Sequence, residues 1–553
     1  MEEKSSSGIA VKSFTARAIS WGLVVGLIVQ VSIYYMYMAM GFTFSESFLA
    51  ILLAMLFIPI IGGKATKYEI NIAQTTGSAF ATSAAVMSTS FIAALQMGYE
   101  FNWFTLPAIA LLSSILGFCV NSLLRRQMLN DKSLIYPESV ACAKVIEKVE
   151  TPADMRLLII GIVLAFVLTI GQEVAFIIPG NIDITGLLPE GFIFRISLAA
   201  LPLGIGYILG KKIGFFMLLS ALITNVVYAP IGYSLGWFPD PSVNYEAFSQ
   251  FNLSAFLGIT ILGSAVFMLK TLDFKKLNLK MVSLDEMDNN VKDEVPIRLV
   301  TILLAATVLA TMIFFYLVFN VNPLVVFIAI FLSVFLTYVV IRIKEQSGMG
   351  VFSFFQLIVL LIVLLIVRDV VISLLLVSIT VGLSSVASDT ITDYKTGHII
   401  GAKATELFKA QFIGLVPGVI VGTVIMYLMI ATRGIGTPEA PYVFAQLFYG
   451  TAAAISGTGE LFFDMFRFGT GMGLGALFGL FGLPSAVIGV AHYLPMEIMM
   501  GGGIAGLARG LVDKKWGEET GQRYINLAGG LILGFSLVII VVLVVSLFTG
   551  PMV

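Results

Sequence analysis

Charge is what this chain most lacks. Of its 553 residues 12% are Asp, Glu, Lys or Arg, whereas 58% are hydrophobic and the mean hydropathy is +0.99. A soluble surface needs roughly twice that charged fraction, so a soluble enzyme is excluded. Disorder is excluded too, because disordered chains are poor in apolar residues. The net charge of −1 leaves no basic domain that would grip nucleic acid. Cysteine is nearly absent: Cys119 and Cys142 form neither a disulfide framework nor a CxxC pair. His398 and His492 are the only histidines, so no transition-metal cage of protein side chains is expected. A metal carried inside a chelate stays open. No Walker A loop, Ser-His-Asp set or HExxH helix occurs. The chain is expected to bind no resident cofactor and to be no enzyme.

What is present is apolar sequence in long runs, the mark of a polytopic membrane protein. The first half offers segments at about 18–40, 46–62, 74–95, 104–124, 156–178, 192–209, 213–236 and 253–270. The second half offers about 297–318, 323–342, 349–367, 369–386, 407–430, 441–456, 470–490, 493–511 and 525–548. The expected fold is all-α, with about 16 transmembrane helices in two repeated halves. The short segments 441–456 and 493–511 read as re-entrant or interfacial candidates. Residues 1–17 form a polar tail, 18–270 a first transmembrane half, 271–296 a charged linker and 297–553 a second half. The linker carries Asp285, Glu286, Asp288, Asp293 and Glu294.

Lysine and arginine alternate between loops. The loops 41–45, 96–103, 179–191, 237–252 and 319–322 have none. The loops between them hold Lys64 and Lys67, Arg125 and Arg126, Lys211 and Lys212, Lys275 and Lys276, Arg342 and Lys344, and Lys395 and Lys403. The positive-inside rule then places these loops and the N-terminus in the cytoplasm, with the protein multi-pass in the cytoplasmic (plasma) membrane. A weak internal repeat accompanies this pattern: Asp131–Glu147 and Asp389–Glu406 share an Asp, a Tyr and Ala-Lys-x-x-Glu.

Polar residues inside the apolar runs are candidates for a solute route. In the third span Asn71, Gln74, Thr75, Ser78 and Thr82 recur at steps that give one helical face. Lipid offers no hydrogen bonds, so this face turns to other helices or to a wet cavity. Tyr136, Pro137, Glu138 and Ser139 open a helix, with proline at its first position and an acid at the positive dipole end. A plain helix cap and a half-helix facing the cavity are both open readings there. Ser384, Ser385, Ser388, Asp389, Thr392, Asp393 and Lys395 cluster where a span ends, as in a solvated loop. Glu173, in the middle of the segment 156–178, is a functional candidate by its cost alone. Arg368 and Asp369 mark a tight turn. Glu460 and Asp464 beside Arg467 read as a surface ion-pair cluster. Tyr493 and Glu497 flank Pro495 before a glycine-rich run. Gly471, Gly475 and Gly479, like Gly502, Gly506 and Gly510, have the spacing of close helix packing.

Several of these segments resemble motifs of the oligopeptide transporter (OPT) family. Asn71-Ile72-Ala73-Gln74-Thr75-Thr76-Gly77 resembles its third-span motif. Leu124-Arg125-Arg126 with Ile135–Ala143 resembles its basic turn and tyrosine-proline-glutamate motif. Asp393–Ala402 resembles its second-half loop, and Tyr493-Leu494-Pro495-Met496 with Gly501-Gly502-Gly503 its C-terminal motif. Ser139 departs from the glycine of many members.

The resemblance implies a secondary active transporter of small peptides or peptide-like metal chelates, generally with protons, of the prokaryotic or yellow-stripe-like type. The route is expected along Asn71, Gln74, Thr75, Ser78, Thr82, Tyr136, Glu138, Ser139, Ser388, Asp389, Asp393, Tyr394, Lys395, Tyr493 and Glu497. Glu138, Glu173 or Asp389 would carry the proton. The glycine-rich helices and the resemblance point to a homodimer. An amino-acid or nucleobase transporter, a channel and an intramembrane enzyme are the rival readings. The orientation is testable in a chain stripped of Cys119 and Cys142. An impermeant maleimide applied to intact cells should label single cysteines placed in 237–252 and spare those beside Lys64; the reverse pattern would overturn the topology.

Overall fold

The computed structural model describes residues 14–39, 45–60, 63–100, 102–147, 152–271, 295–347, 352–437, 440–456 and 464–549. Most of the expected tail, Glu460 and nearly all of the linker with its five acids lie outside the described residues. The first part of the chain forms α1 (Ala16–Ala39), α2 (Glu46–Phe57), α3 (Lys67–Ala81), α4 (Thr105–Asn130), α5 (Pro137–Glu147), α6 (Pro152–Glu173), α7 (Ala200–Leu222) and α8 (Tyr245–Thr271). There follow α9 (Ile297–Phe319), α10 (Pro323–Ser347), α11 (Phe352–Val367), α12 (Val370–Ile400), α13 (Ala404–Arg433) and α14 (Val443–Ser456). The last four are α15 (Met465–Leu480), α16 (Ser485–Tyr493), α17 (Met496–Trp516) and α18 (Glu518–Thr549). Eleven helical stretches among the described residues are long and apolar enough to cross a bilayer, and three apolar helices are shorter. The protein is an all-α polytopic membrane protein.

Local chemistry sets the ends of these helices. Thr66 and Glu69 form a reciprocal capping box at the start of α3. Arg17 pairs with the same Glu69 carboxylate at 2.6 Å. Asp369 accepts from the Ile372 N–H at 2.9 Å and starts α12, so Arg368 and Asp369 do form the turn expected of them. Asp464 caps α15 and pairs with Arg467 at 3.2 Å. Polar residues break the third span. α3 stops at Ala81, and two short turns, Ala84–Met87 and Ser90–Gln96, carry the chain onward. There the Thr82 and Thr89 hydroxyls each bond a carbonyl four residues back, a pattern that bends helices.

The other departures from the expected spans have equally local causes. The segment 192–209 starts helically only at Ala200, because Arg195–Ser197 pairs as a strand with Asn181–Asp183. The segments 192–209 and 213–236 belong to one stretch, Ala200–Ser234, broken at Gly210, whose φ of +79° is not helical. The segment 470–490 divides into α15 and α16 around Gly482, at φ +70°. α14, with 14 residues, is about 21 Å long, less than the roughly 30 Å of hydrocarbon. α17 has 21 residues, about 31 Å, and so extends beyond the expected 493–511.

α12 is the hub. It packs against α4, α5, α10, α11, α2, α3, α13 and α14, and nearly every residue from Ser373 to Thr396 is buried. Around this centre the glycines expected at helix contacts interlock the two ends of the chain. The broken helix α7 wraps α17: a Cβ at Gly206 would fall on the Gly502 carbonyl, and one at Gly214 would lie 2.7 Å from the Gly506 Cα. The pair α15–α16 wraps α8 in the same manner, with Gly471, Gly475 and Gly479 against Ala255, Ile259 and Gly263. These faces, which together with the family resemblance carried the homodimer expectation, make close contacts within the chain. Backbone-to-backbone contact leaves no side chain able to give way. Gly206→Ala is therefore expected to cost about 1–3 kcal/mol and to lower the melting temperature of the purified protein. Gly469→Ala, which meets open space in an exposed part of α15, should not lower that temperature.

Candidate functional site

Two carboxylates lie one helical turn apart on α12. Asp393 is fully buried and Asp389 nearly so. Both lean on the same two hydroxyls. Ser47 Oγ of α2 lies 3.1 Å from Asp389 Oδ1 and 2.9 Å from Asp393 Oδ1. Ser78 Oγ of α3 lies 3.1 Å from Asp389 Oδ2 and 3.0 Å from Asp393 Oδ2. Gln74 donates to Asp393 from α3, and Gln411 of α13 donates to its other oxygen at 3.0 Å. Asn71 in turn donates to the Gln74 carbonyl at 2.9 Å. Four helices thus converge on one carboxylate pair. The solvated loop expected at 384–395 is instead the buried interior of α12. Its serines, threonines and aspartates ended the apolar run without ending the helix, because neighbouring helices satisfy them.

Asp389 also borders a cavity of about 290 Å³, near the lower end of the range of small-molecule sites. Its polar wall includes Glu46, Glu138, Lys344 and Ser388, and its aromatic wall Tyr37, Phe352 and Phe444. Glu138 stands in the first turn of α5, with Pro137 at the first helical position. Its carboxylate holds the Lys344 ammonium of α10 at 2.7 Å. Burial works to raise the Glu138 pKa, but the ammonium outweighs it and holds the group below the usual carboxylate range. Lys344 donates further to Ser388 at 2.9 Å and to Thr392 at 3.3 Å. Glu138 thus stands in the first turn of α5 and lines the cavity.

The turn before α5 is held tightly. Tyr136 has φ +51°, and its N–H donates to the Glu345 carbonyl at 2.9 Å. Its hydroxyl donates to the Met128 carbonyl at 2.8 Å, and Lys395 Nζ sits 4.6 Å from its ring centroid. Asp131, just past α4, pairs with Arg342, both nearly fully buried. Burial would raise the Asp131 pKa, yet the Ser133 hydroxyl and amide and the Arg342 guanidinium hold it below the ordinary range.

The structure brings most of the expected site residues together and separates a few. Asn71, Gln74, Ser78, Glu138, Ser388, Asp389 and Asp393 share the network just described. Thr75 and Ser139 are buried beside it, and their hydroxyls have no hydrogen-bond partner. Thr82 bonds its own helix. Tyr394 faces Ser122 at 3.1 Å and the Arg125 guanidinium, away from the cavity wall. Tyr493 lines a second cavity of about 200 Å³ with Gln96, Glu246 and Gln446. Glu497 stands in the first turn of α17 and borders neither cavity. Glu173 is not in mid-span: it ends α6 and pairs with Arg433, the last residue of α13.

The sequence reading missed Glu46, Ser47, Lys344 and Gln411. In the sequence Lys344 is a topological marker, since a lysine ending an apolar run looks the same whether it meets water or a cavity. Gln411 follows Glu406 and Lys409 at the polar start of its helix, so nothing in the sequence set it apart. Among the described residues no group of three or more His, Cys, Asp and Glu side chains could hold a metal ion.

Comparison with known proteins places this arrangement. A search of the curated proteins finds no match. Residues 13–546 match the family described as OPT oligopeptide transporter protein. A polytopic bundle with a buried polar cavity fits that description, and the match spans nearly the whole chain: the protein belongs to the OPT oligopeptide transporter family.

Proposed function

We propose that the protein is a proton-coupled symporter of small peptides in the cytoplasmic membrane. One observation carries this reading: Asp389 belongs at once to the cavity wall and to the carboxylate pair that shares Ser47 and Ser78. Each serine has one hydrogen to give. Two serines therefore cannot serve four carboxylate contacts at a time. Two carboxylates sharing donors in a dry site do not both ionise cheaply, and one added proton relieves the conflict. A proton on this pair touches the solute cavity directly, which is what coupling requires. Glu138 faces the same cavity but is already matched to Lys344. Glu173 is matched to Arg433 and distant in the fold, so it supports a structural role.

The wall charges bear on the solute. Glu46, Glu138 and Asp389 stand against a single lysine. A peptide brings an ammonium end that suits this acidic wall. A carboxylate-rich metal chelate would meet more like charge than unlike, which favours the peptide. The rival of a simple channel is disfavoured because the carboxylate pair is buried and bonded to three neighbouring helices.

Uptake of trialanine into proteoliposomes tests the proposal. An inward proton gradient should accelerate uptake, and a protonophore should abolish the acceleration. A hydrogen bond to a charged group contributes about 1.5–3 kcal/mol, so Asp389→Asn should slow gradient-driven uptake roughly tenfold or more. Solute exchange without a gradient should persist in that variant. Uptake indifferent to the gradient, or wild-type coupling in both Asp389→Asn and Asp393→Asn, would overturn the reading.

A further inference from the structure

Beside Glu138 lies a second carboxylate that the proposed cycle has not used. Glu345 follows Lys344 on α10, and its side chain is 0% exposed, against 25% for Glu138. Neither of its carboxylate oxygens has a hydrogen-bond partner. Its ion-pair partner is Lys344, at 3.6 Å, which is beyond hydrogen-bond reach. A sealed carboxylate without donors is costly.

The lysine explains it. An ammonium has three hydrogens. Lys344 directs them to Glu138 at 2.7 Å, Ser388 at 2.9 Å and Thr392 at 3.3 Å. None is left for Glu345. If another cation takes Glu138, one hydrogen is released, and a movement of less than about 1 Å carries Nζ within bonding distance of Glu345. Other charged groups nearby are Glu46 and Asp389 on the cavity wall and Lys395 over Tyr136.

We infer that Lys344 is a built-in counter-ion that exchanges between Glu138 and Glu345, holding the place of the solute's cationic end while the cavity is empty. Glu138 is the solute-facing station and Glu345 the sealed one. No bond is made or broken; one ammonium replaces another on Glu138. Because Ser388 and Thr392 flank Asp389 on α12, moving the lysine also releases the helix face beside the carboxylate pair. The identity of the arriving ammonium rests on the peptide reading above, whereas the two-station geometry does not.

A solute-free measurement therefore decides the exchange. Melting temperatures of the purified full-length protein are compared for Glu138→Gln, Glu345→Gln and the double variant. Each single variant leaves the lysine one carboxylate, so each should fold with a modest shift. The double variant should fall by more than the sum of the two, by about 2 °C or more, or fail to fold. Additive shifts, or a single variant that does not fold, would overturn the two-station lysine. In proteoliposomes Glu345→Gln should raise the KM for trialanine with little change in kcat, because Lys344 then has nowhere to go; an unchanged KM would count against the exchange. A wild-type protein that takes up no trialanine would sink the peptide reading while the melting comparison still ruled on the lysine.

Discussion

Hydrocarbon donates no hydrogen bonds, and Asp393 has no exposure to water. Every donor that faces this carboxylate must come from another part of the chain. Ser47, Gln74, Ser78 and Gln411 provide them from α2, α3 and α13. That requirement explains several features otherwise arbitrary. α2 starts beside the pair, with Ser47 in its first turn. α3 carries its polar face inward and is almost wholly buried. α12 keeps its helical form through a run of serines, threonines and aspartates that would suit a loop.

The charges in the described membrane region follow a second rule: most are matched across helices. Arg17 holds Glu69, Arg342 holds Asp131, Lys344 holds Glu138 and Arg433 holds Glu173. The Asp389–Asp393 pair departs from it, having hydroxyls and amides for partners and no cation within salt-bridge distance among the described residues. Glu345 departs in another way, with a cation nearby and no hydrogen bond to its carboxylate. The functional readings rest on these departures.

How far the sequence carried depends on the range of the information. Positions set by their own helix were legible. The three- and four-residue spacing of Asn71, Gln74, Thr75 and Ser78 placed one inward face, and Pro137 with Glu138 marked a helix start. Positions whose meaning comes from a partner far away in sequence were not. Ser47 meets Asp393 across nearly 350 residues of chain, and no periodicity reports such a meeting. Glu173 misled because an apolar run was taken to continue to residue 178, whereas the chain turns at Phe176, at φ +53°. Lys344 misled because a charge at the end of a span is read by its effect on topology, which says nothing of whether it faces water or an acid. The glycine spacing named contact faces correctly but could not say that the partners lay within the same chain.

The wrapping of α17 by the broken helix α7 bears on how the protein is made. Residues 200–222 leave the ribosome long before 496–516 exist. The grooved glycine surface of α7 must then wait in the bilayer with lipid where its partner will be. The same holds in reverse order for α8, which is made early and enclosed late by α15 and α16. The contacts of α7 with α17, and of α8 with α15 and α16, therefore form only after the second half has been made. The chain becomes a closed body only when its late helices pack on the early ones, so truncation near the C-terminus removes the packing partners of residues made in its first half.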